Sequence, residues 1–328
     1  MAELLHGGRL REAAARYGLP YERWVDLSTG INPDGWPVPA LPVSAWQRLP
    51  EEEDGLVAAA TGYYGTPHLL ACAGSQAAIQ WLPRLCAPGR VGVVTPGYAE
   101  HAAAWLAAGH EVVHLAPGDV AAHVHQLQVL VVINPNNPTG DSFAPEQLRE
   151  WHTQLAARGG WLVVDEAFMD VTPAHSLAGH AGVEGLVVLR SLGKFFGLAG
   201  ARVGFVLAWP QLLARLGDSL GPWTINHPAR LVATLALGDT AWQVQQRAQL
   251  SQRAARLGSL LRDAGFAPHG GTALFQYVTL ADAAVVADAL ARQAILVRRF
   301  AQPSALRFGL PGDEMQWQRL TQALESLR

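Results

Sequence analysis

Lys194, in the run SLGKFFGLAGARVGF, follows Asn137 in NPNNPTG and Asp165 in WLVVDEAF, and each of the three comes after an apolar run. A lysine amine forms a Schiff base with an aldehyde, which makes Lys194 a candidate for covalent catalysis. The aldehyde cofactor pyridoxal 5'-phosphate needs such a lysine, a carboxylate against its ring nitrogen and fixed donors for its phosphate. Asp165, when ionised, would keep the ring nitrogen protonated, so that the ring accepts electrons from a carbanion at the substrate's Cα. Asn137 could donate its amide to the ring's 3' oxygen, and Ser191 with Arg202 could hold the phosphate, the arginine by bidentate charge-assisted bonds. Gly74, Ser75 and Gln76, in HLLACAGSQAAIQWL, read as a glycine turn opening a helix, where backbone N–H groups and the helix dipole favour an anion. Tyr98, in VVTPGYAEHAA, could stack on the ring face.

Each residue also has an ordinary reading. A Gly-Ser pair before a helix is a common cap, an Asp at a strand end is common turn chemistry, and a Tyr after a strand often belongs to the core. The elements around these residues decide whether they meet. QVLVVI, WLVVD and LVVLRS are short β-prone runs that stop abruptly, as buried strands of a mostly parallel sheet do. Ligands of such sheets bind outside the carboxyl ends of the strands, so residues far apart in the chain can converge there. The expected class is therefore α/β.

NPNNPTG, DEAF, SLGK and GARVGF, in that order, resemble the fold-type I aminotransferase superfamily of pyridoxal phosphate enzymes, along nearly the whole chain. Within it, HGGRLREAAARYGLPYERWVDLSTGINPDG, GPWTINHPA and ILVRRF resemble the threonine-phosphate decarboxylases of cobalamin biosynthesis more than any transaminase. The resemblance implies a large cofactor-binding domain with a mostly parallel seven-stranded sheet over residues 42–230. A smaller α+β domain would take residues 1–41 and 231–328. It implies Lys194 as the cofactor lysine, Asp165 as the pyridinium partner, and Asn137, Ser191 and Arg202 as cofactor ligands. It also implies a homodimer and a phosphorylated amino acid as substrate. Arg307 matches the superfamily position for an α-carboxylate, and Arg298 a position near the substrate in the decarboxylases. His6, with Gly7 and Gly8, could cap a second phosphate, and Asn32 in the INP turn is a further candidate.

The implied reaction is decarboxylation of L-threonine O-3-phosphate to (R)-1-amino-2-propanol O-2-phosphate. Alternatives are a histidinol-phosphate-type aminotransferase and a regulatory module that binds pyridoxal phosphate. The chain departs from the pattern in places. Phe168 stands where many relatives carry Tyr. Leu49, in Arg48-Leu49-Pro50, stands where kin of histidinol-phosphate aminotransferase place a Tyr that reaches the partner subunit's cofactor, and Tyr63 or Tyr64 is a candidate substitute. Arg9 stands where the decarboxylases have Asn.

Composition agrees with an enzyme of this kind. With 328 residues, 50% hydrophobic and 16% charged, the chain can bury a large core. A net charge of −3 with dispersed Lys and Arg offers no footprint for nucleic acid. The two cysteines, Cys72 and Cys86, lack CxxC spacing, so neither a metal site nor a disulfide framework is expected. The amino-terminal run has no basic segment followed by an apolar one, and no apolar stretch approaches membrane length, which makes a cytoplasmic protein the expectation. DEMQWQRLTQALESLR reads as an amphipathic helix capped by Asp313.

Overall fold

The computed structural model describes residues 6–327. The chain packs as two compact units, one of residues 35–137 and 142–244, the other of residues 6–34, 138–141 and 245–327. The larger unit therefore extends beyond the expected 42–230 at both ends. Trp36 explains one end: its backbone N–H donates to Phe196 O at 2.9 Å and its indole Nε1 to Asp239 Oδ2 at 3.0 Å. The helix His227–Gly238 explains the other, because it packs against the helix Leu56–Tyr64 and buries Val232, Ala233, Ala236 and Leu237. Residues 138–141 pack with the smaller unit, where a side chain on Gly270 would collide with Thr139 O.

In chain order, β1 (Val25–Leu27) belongs to the smaller unit, and the larger unit follows with β2 (Leu69–Cys72), β3 (Arg90–Val94), β4 (Glu111–Leu115), β5 (Val129–Ile133), β6 (Trp161–Asp165), β7 (Leu186–Ser191) and β8 (Gly204–Leu207). These seven strands form one sheet in the order β2-β8-β7-β6-β5-β3-β4. β8 runs antiparallel to both β2 and β7, and the other pairs of this sheet are parallel. β5 and β6 are buried at every residue, which is why they read as unbroken apolar runs with no polar alternation. The helices Ser75–Leu85 and Pro210–Leu220 cover the sheet with Ile79, Leu82, Leu212 and Leu216 against Val131, Val163 and Leu189. Tryptophan fills volume here: Trp161 and Trp209 meet edge to face at 5.3 Å between ring centres.

The smaller unit adds β9 (Gly270–Thr272), β10 (Phe275–Thr279), β11 (Ile295–Phe300) and β12 (Ala305–Gly309) to β1 in a five-stranded sheet, ordered β1-β11-β12-β10-β9. β1 joins β11 in parallel, and the other pairs are antiparallel. The helix Glu314–Glu325 starts as its sequence predicts, with Asp313 Oδ1 accepting from Gln316 N at 2.8 Å. No helix among the described residues is long and apolar enough to cross a membrane.

Candidate active site

The register of the large sheet brings the candidate residues of the larger unit to one end of the sheet. Cys72 of β2 and Ser191 of β7 both pair with Gly204, the first residue of β8. Asp165, the last residue of β6, pairs with Ile133 on one side and Leu189 on the other. Because β8 is reversed, the segment entering it, with Arg202, lies at the edge where its neighbours end. Gly74, Tyr98, Asn137, Asp165, Ser191, Lys194 and Arg202 thus all sit on or just beyond the strand ends that form this edge.

One part of the edge is shaped as an anion cradle. The helix Ser75–Leu85 opens at Gly74, whose φ of +73° is one that L side chains rarely adopt. A Cβ on Gly74 would lie 2.7 Å from Arg202 Nη2, so glycine lets the guanidinium close over the start of the helix. Arg202 is itself left-handed at φ +56°, and its Nη1 donates to Ala199 O at 3.2 Å. Gly204 keeps the same space open, since a Cβ there would stand 2.5 Å from Ser75 N. The first N–H groups of a helix have no partner within it and carry the positive end of its dipole. Ser191, whose Oγ accepts from Gly193 N at 3.2 Å, ends the neighbouring strand β7.

Asp165 is 3% exposed and held on both oxygens: Oδ2 lies 2.9 Å from His101 Nε2, and Oδ1 accepts from Ala167 N at 3.1 Å. His101, buried on the helix Glu100–Ala107, was not singled out by sequence reasoning; its only signal is its position one helical turn after Tyr98. Tyr98 meets the His101 ring edge-on and donates its hydroxyl to Gln76 Oε1 at 3.1 Å, while Gln76 Nε2 donates to Glu100 Oε2 at 3.1 Å. Burial, then the charges of Glu100 and Asp165, push the Tyr98 phenol up to about 12, with Arg202 opposing. Tyr98 is therefore neutral at physiological pH and sits within the fields of both Asp165 and Arg202. Asn137, half-buried, follows Asn136, which donates from Nδ2 to Pro96 O at 2.8 Å and so ties its loop to the one carrying Tyr98.

Lys194 is fixed by its neighbours in sequence. Phe195 and Phe196 are fully buried and pack with Trp242, and Gly197 N donates to Lys194 O at 3.1 Å. The Lys194 Nζ stands 5.4 Å from the centre of the Phe168 ring. Tyr63 and Tyr64, considered as substitutes for the tyrosine missing at Leu49, face the interior: Tyr63 donates its hydroxyl to Asp170 at 3.0 Å, and Tyr64 is buried against Phe205. Leu49 itself is 62% exposed.

His6, Asn32, Arg298 and Arg307 all belong to the smaller unit. Arg298 and Arg307 are paired across β11 and β12. Arg307 is 5% exposed, donates from Nη2 to Ser28 O at 2.5 Å, and stands 5.1 Å over the Phe275 ring. Burial and the adjacent Arg298 lower its pKa to about 10, against the pull of Asp26. Arg298 is lowered too, by burial and by the charge of Arg9, which also pairs with Glu12. The amino-terminal glycines lie on the same strand end, with Gly8 N donating to Ser28 Oγ at 2.8 Å and Ser28 Oγ to Asp26 at 2.6 Å. His6 is exposed. Asn32 is buried and accepts from Asp34 N at 3.0 Å and from Gln246 at 3.2 Å.

Residues 50–324 match the family model described as aminotransferase class I and II. The chain is 56% identical to a threonine-phosphate decarboxylase of Pseudomonas aeruginosa, over 98% of this chain and 97% of that protein. It is 44% identical to a threonine-phosphate decarboxylase of a Sinorhizobium species, over 98% of each. Among solved structures it shares the fold of the histidinol-phosphate aminotransferase of Sinorhizobium meliloti in complex with pyridoxal-5'-phosphate. The TM-score is 0.84 at 19% identity, covering 100% of this chain and 98% of that one.

Proposed function

Because the chain belongs to the class I and II aminotransferase family, we propose that it is a pyridoxal phosphate-dependent carboxy-lyase that decarboxylates L-threonine O-3-phosphate to (R)-1-amino-2-propanol O-2-phosphate. One observation carries the reading: Lys194, Asp165 and the Gly74–Arg202 pair stand at the same end of the large sheet, in a chain akin over nearly its full length to two threonine-phosphate decarboxylases.

The residues fit the cofactor. Gly74, lacking a Cβ, opens a helix start beneath an arginine, a combination suited to a phosphate, and the doubly held Asp165 carboxylate suits a ring nitrogen. Ser75, Gln76, Ser191 and Arg202 would hold the phosphate, Tyr98 would face the ring, and Asn137 would donate to the ring oxygen. With Phe in place of Tyr at 168, Asn137 carries more of that last task. When bound, pyridoxal phosphate supplies an aldehyde for covalent linkage to amines and a ring that accepts an electron pair. Asp165 would hold a proton at the ring nitrogen, and His101, 2.9 Å from its Oδ2, would keep the carboxylate aimed. Lys194 Nζ would be the amine that holds the cofactor, and once freed by the substrate would serve as the proton donor to the substrate's Cα. Arg307 binds the substrate carboxylate. Arg298, His6 and Asn32 would bind its phosphate, whose two negative charges suit cations and an amide donor.

Decarboxylation and transamination use the same residue types. Which of the two occurs depends on how the substrate carboxylate is oriented, and the reading assigns that orientation to Arg307, which would hold the carboxylate so that CO2 is the group lost. We further read the protein as a cytoplasmic homodimer acting in cobalamin biosynthesis on a small phosphorylated amino acid. Support for the dimer comes from the exposed apolar side chains Trp46, Leu49 and Trp223 on the larger unit.

The test is to incubate the pure protein, loaded with pyridoxal phosphate, with L-threonine O-3-phosphate and no keto acid. Equal amounts of CO2 and aminopropanol phosphate are expected. Turnover that appears only when a keto acid is added, with no CO2, would replace this reading with an aminotransferase.

A further inference from the structure

Arg190 has no part in the reading above, yet it is 1% exposed in the larger unit, at the end of the strand whose turn presents Lys194. Its guanidinium grips two carboxylates, donating from Nη1 to Glu166 Oε2 at 2.6 Å and from Nη2 to Asp170. Both carboxylates are fully buried and further tied. Glu166 accepts from Leu177 N at 2.7 Å and from the Ser176 hydroxyl, and Asp170 accepts from Tyr63. The Tyr64 ring closes the cluster, 4.9 Å from the guanidinium carbon. A buried ion network costs much in desolvation and is poor evidence for a role in stability alone.

The geometry suggests what the network does. Glu166 and Asp170 flank Phe168, so one guanidinium holds both ends of the segment that sets the Phe168 ring 5.4 Å from Lys194 Nζ. Arg190 and Lys194 lie on the same strand and turn, so the grip ties the lysine's own segment to the ring it faces. Glu166 also follows Asp165 directly. We propose that Arg190 is a positioning residue, which fixes the Lys194 amine by way of Glu166, Asp170 and Phe168. The proposal rests on the reading of Lys194 as the cofactor lysine. A planar fork is needed, because a lysine at 190 would reach one carboxylate and release the other.

Three variants test it, each loaded with pyridoxal phosphate: Arg190→Lys; the neutral trio Arg190→Met, Glu166→Gln and Asp170→Asn; and Phe168→Leu. The trio leaves no uncompensated buried charge, so it is the network variant designed to fold. The measurements are thermal midpoint, visible circular dichroism per bound cofactor, and kcat and KM for threonine phosphate. In the trio and in Phe168→Leu, the dichroism should fall about twofold or more, and kcat about tenfold or more with KM changed less than about threefold, as for misplaced reacting groups. Arg190→Lys should recover part of both. A folded trio with the dichroism and kcat of the unsubstituted protein would overturn the proposal and leave Arg190 a structural role only. Should the trio fail to fold, Phe168→Leu decides alone, since it leaves the ion network intact; unchanged dichroism and kcat there overturn the proposal equally. If the unsubstituted protein shows no visible cofactor band, the cofactor reading itself fails and this proposal with it.

Discussion

Lys194→Ala should abolish the visible absorbance of the lysine-bound cofactor and nearly all turnover, although the cofactor can still bind through the phosphate cradle. An absorbance titration and an activity assay check this, and persistence of both would remove Lys194 from the chemistry. Asp165→Ala should slow turnover by several orders of magnitude, on the scale of losing the electron sink. Arg307 gives a pH signature. Its pKa is lowered to about 10 by burial and by Arg298, so the free enzyme loses this cation as pH rises through that value. Since kcat/KM reports the free enzyme, kcat/KM for threonine phosphate should fall above about pH 10. In Arg307→Lys, whose ammonium has a lower intrinsic pKa than a guanidinium in the same surroundings, that fall should move to lower pH. A profile that is the same in both would detach Arg307 from substrate binding.

At the scale of elements, the junctions between strands and helices matter more than their interiors. The helix Ser75–Leu85 can present its N–H groups to an anion because Gly74 takes φ +73° and lets Arg202 approach. Gly74→Ala combines backbone strain of about 1–3 kcal/mol, at a conformation that is essentially glycine-only, with a side chain 2.7 Å from the Arg202 guanidinium. It should weaken pyridoxal phosphate binding roughly 10- to 100-fold, about 1.4–2.8 kcal/mol, with little change in the far-ultraviolet spectrum. Equilibrium titration of the cofactor measures it, and unchanged affinity would mean the phosphate lies elsewhere. Gly204→Ala should be worse, because there the obstacle is the backbone of Ser75 rather than a flexible side chain.

At the scale of the whole molecule, Trp46 at 71%, Leu49 at 62% and Trp223 at 60% are exposed apolar side chains of the larger unit, of a kind that a partner subunit would cover. Light scattering should find a homodimer whose interface is on the order of 2,000 Å² or more. Trp46→Asp with Trp223→Asp should shift it towards monomer and depress activity together. An active monomer in the unsubstituted protein would exclude an obligate dimer.

The strand ends were legible because a buried parallel strand has no polar alternation: the apolar runs before NPNNPTG, DEAF and SLGK stop where the chain leaves the sheet. The types and order of Lys194, Asp165, Asn137 and the Gly74 turn were therefore open to reading, as was Asp313 at the head of the last helix. Side-chain pairings were not, since sequence spacing does not say which face of one element meets which of another. His101 reaches Asp165 only because the fold brings the first turn of the helix Glu100–Ala107 to the last residue of β6, and Arg190 finds Glu166 and Asp170 only across adjacent strands. The same lack of partners in the sequence left Tyr63 and Tyr64 as speculative cofactor contacts, whereas tertiary packing commits them to the interior beside Arg190. The sequence by itself determined which groups stand at the ends of the strands. Tertiary structure decided which of them are held, and by what, because a hydrogen bond needs two groups within about 3 Å and only the packed sheet brings them there.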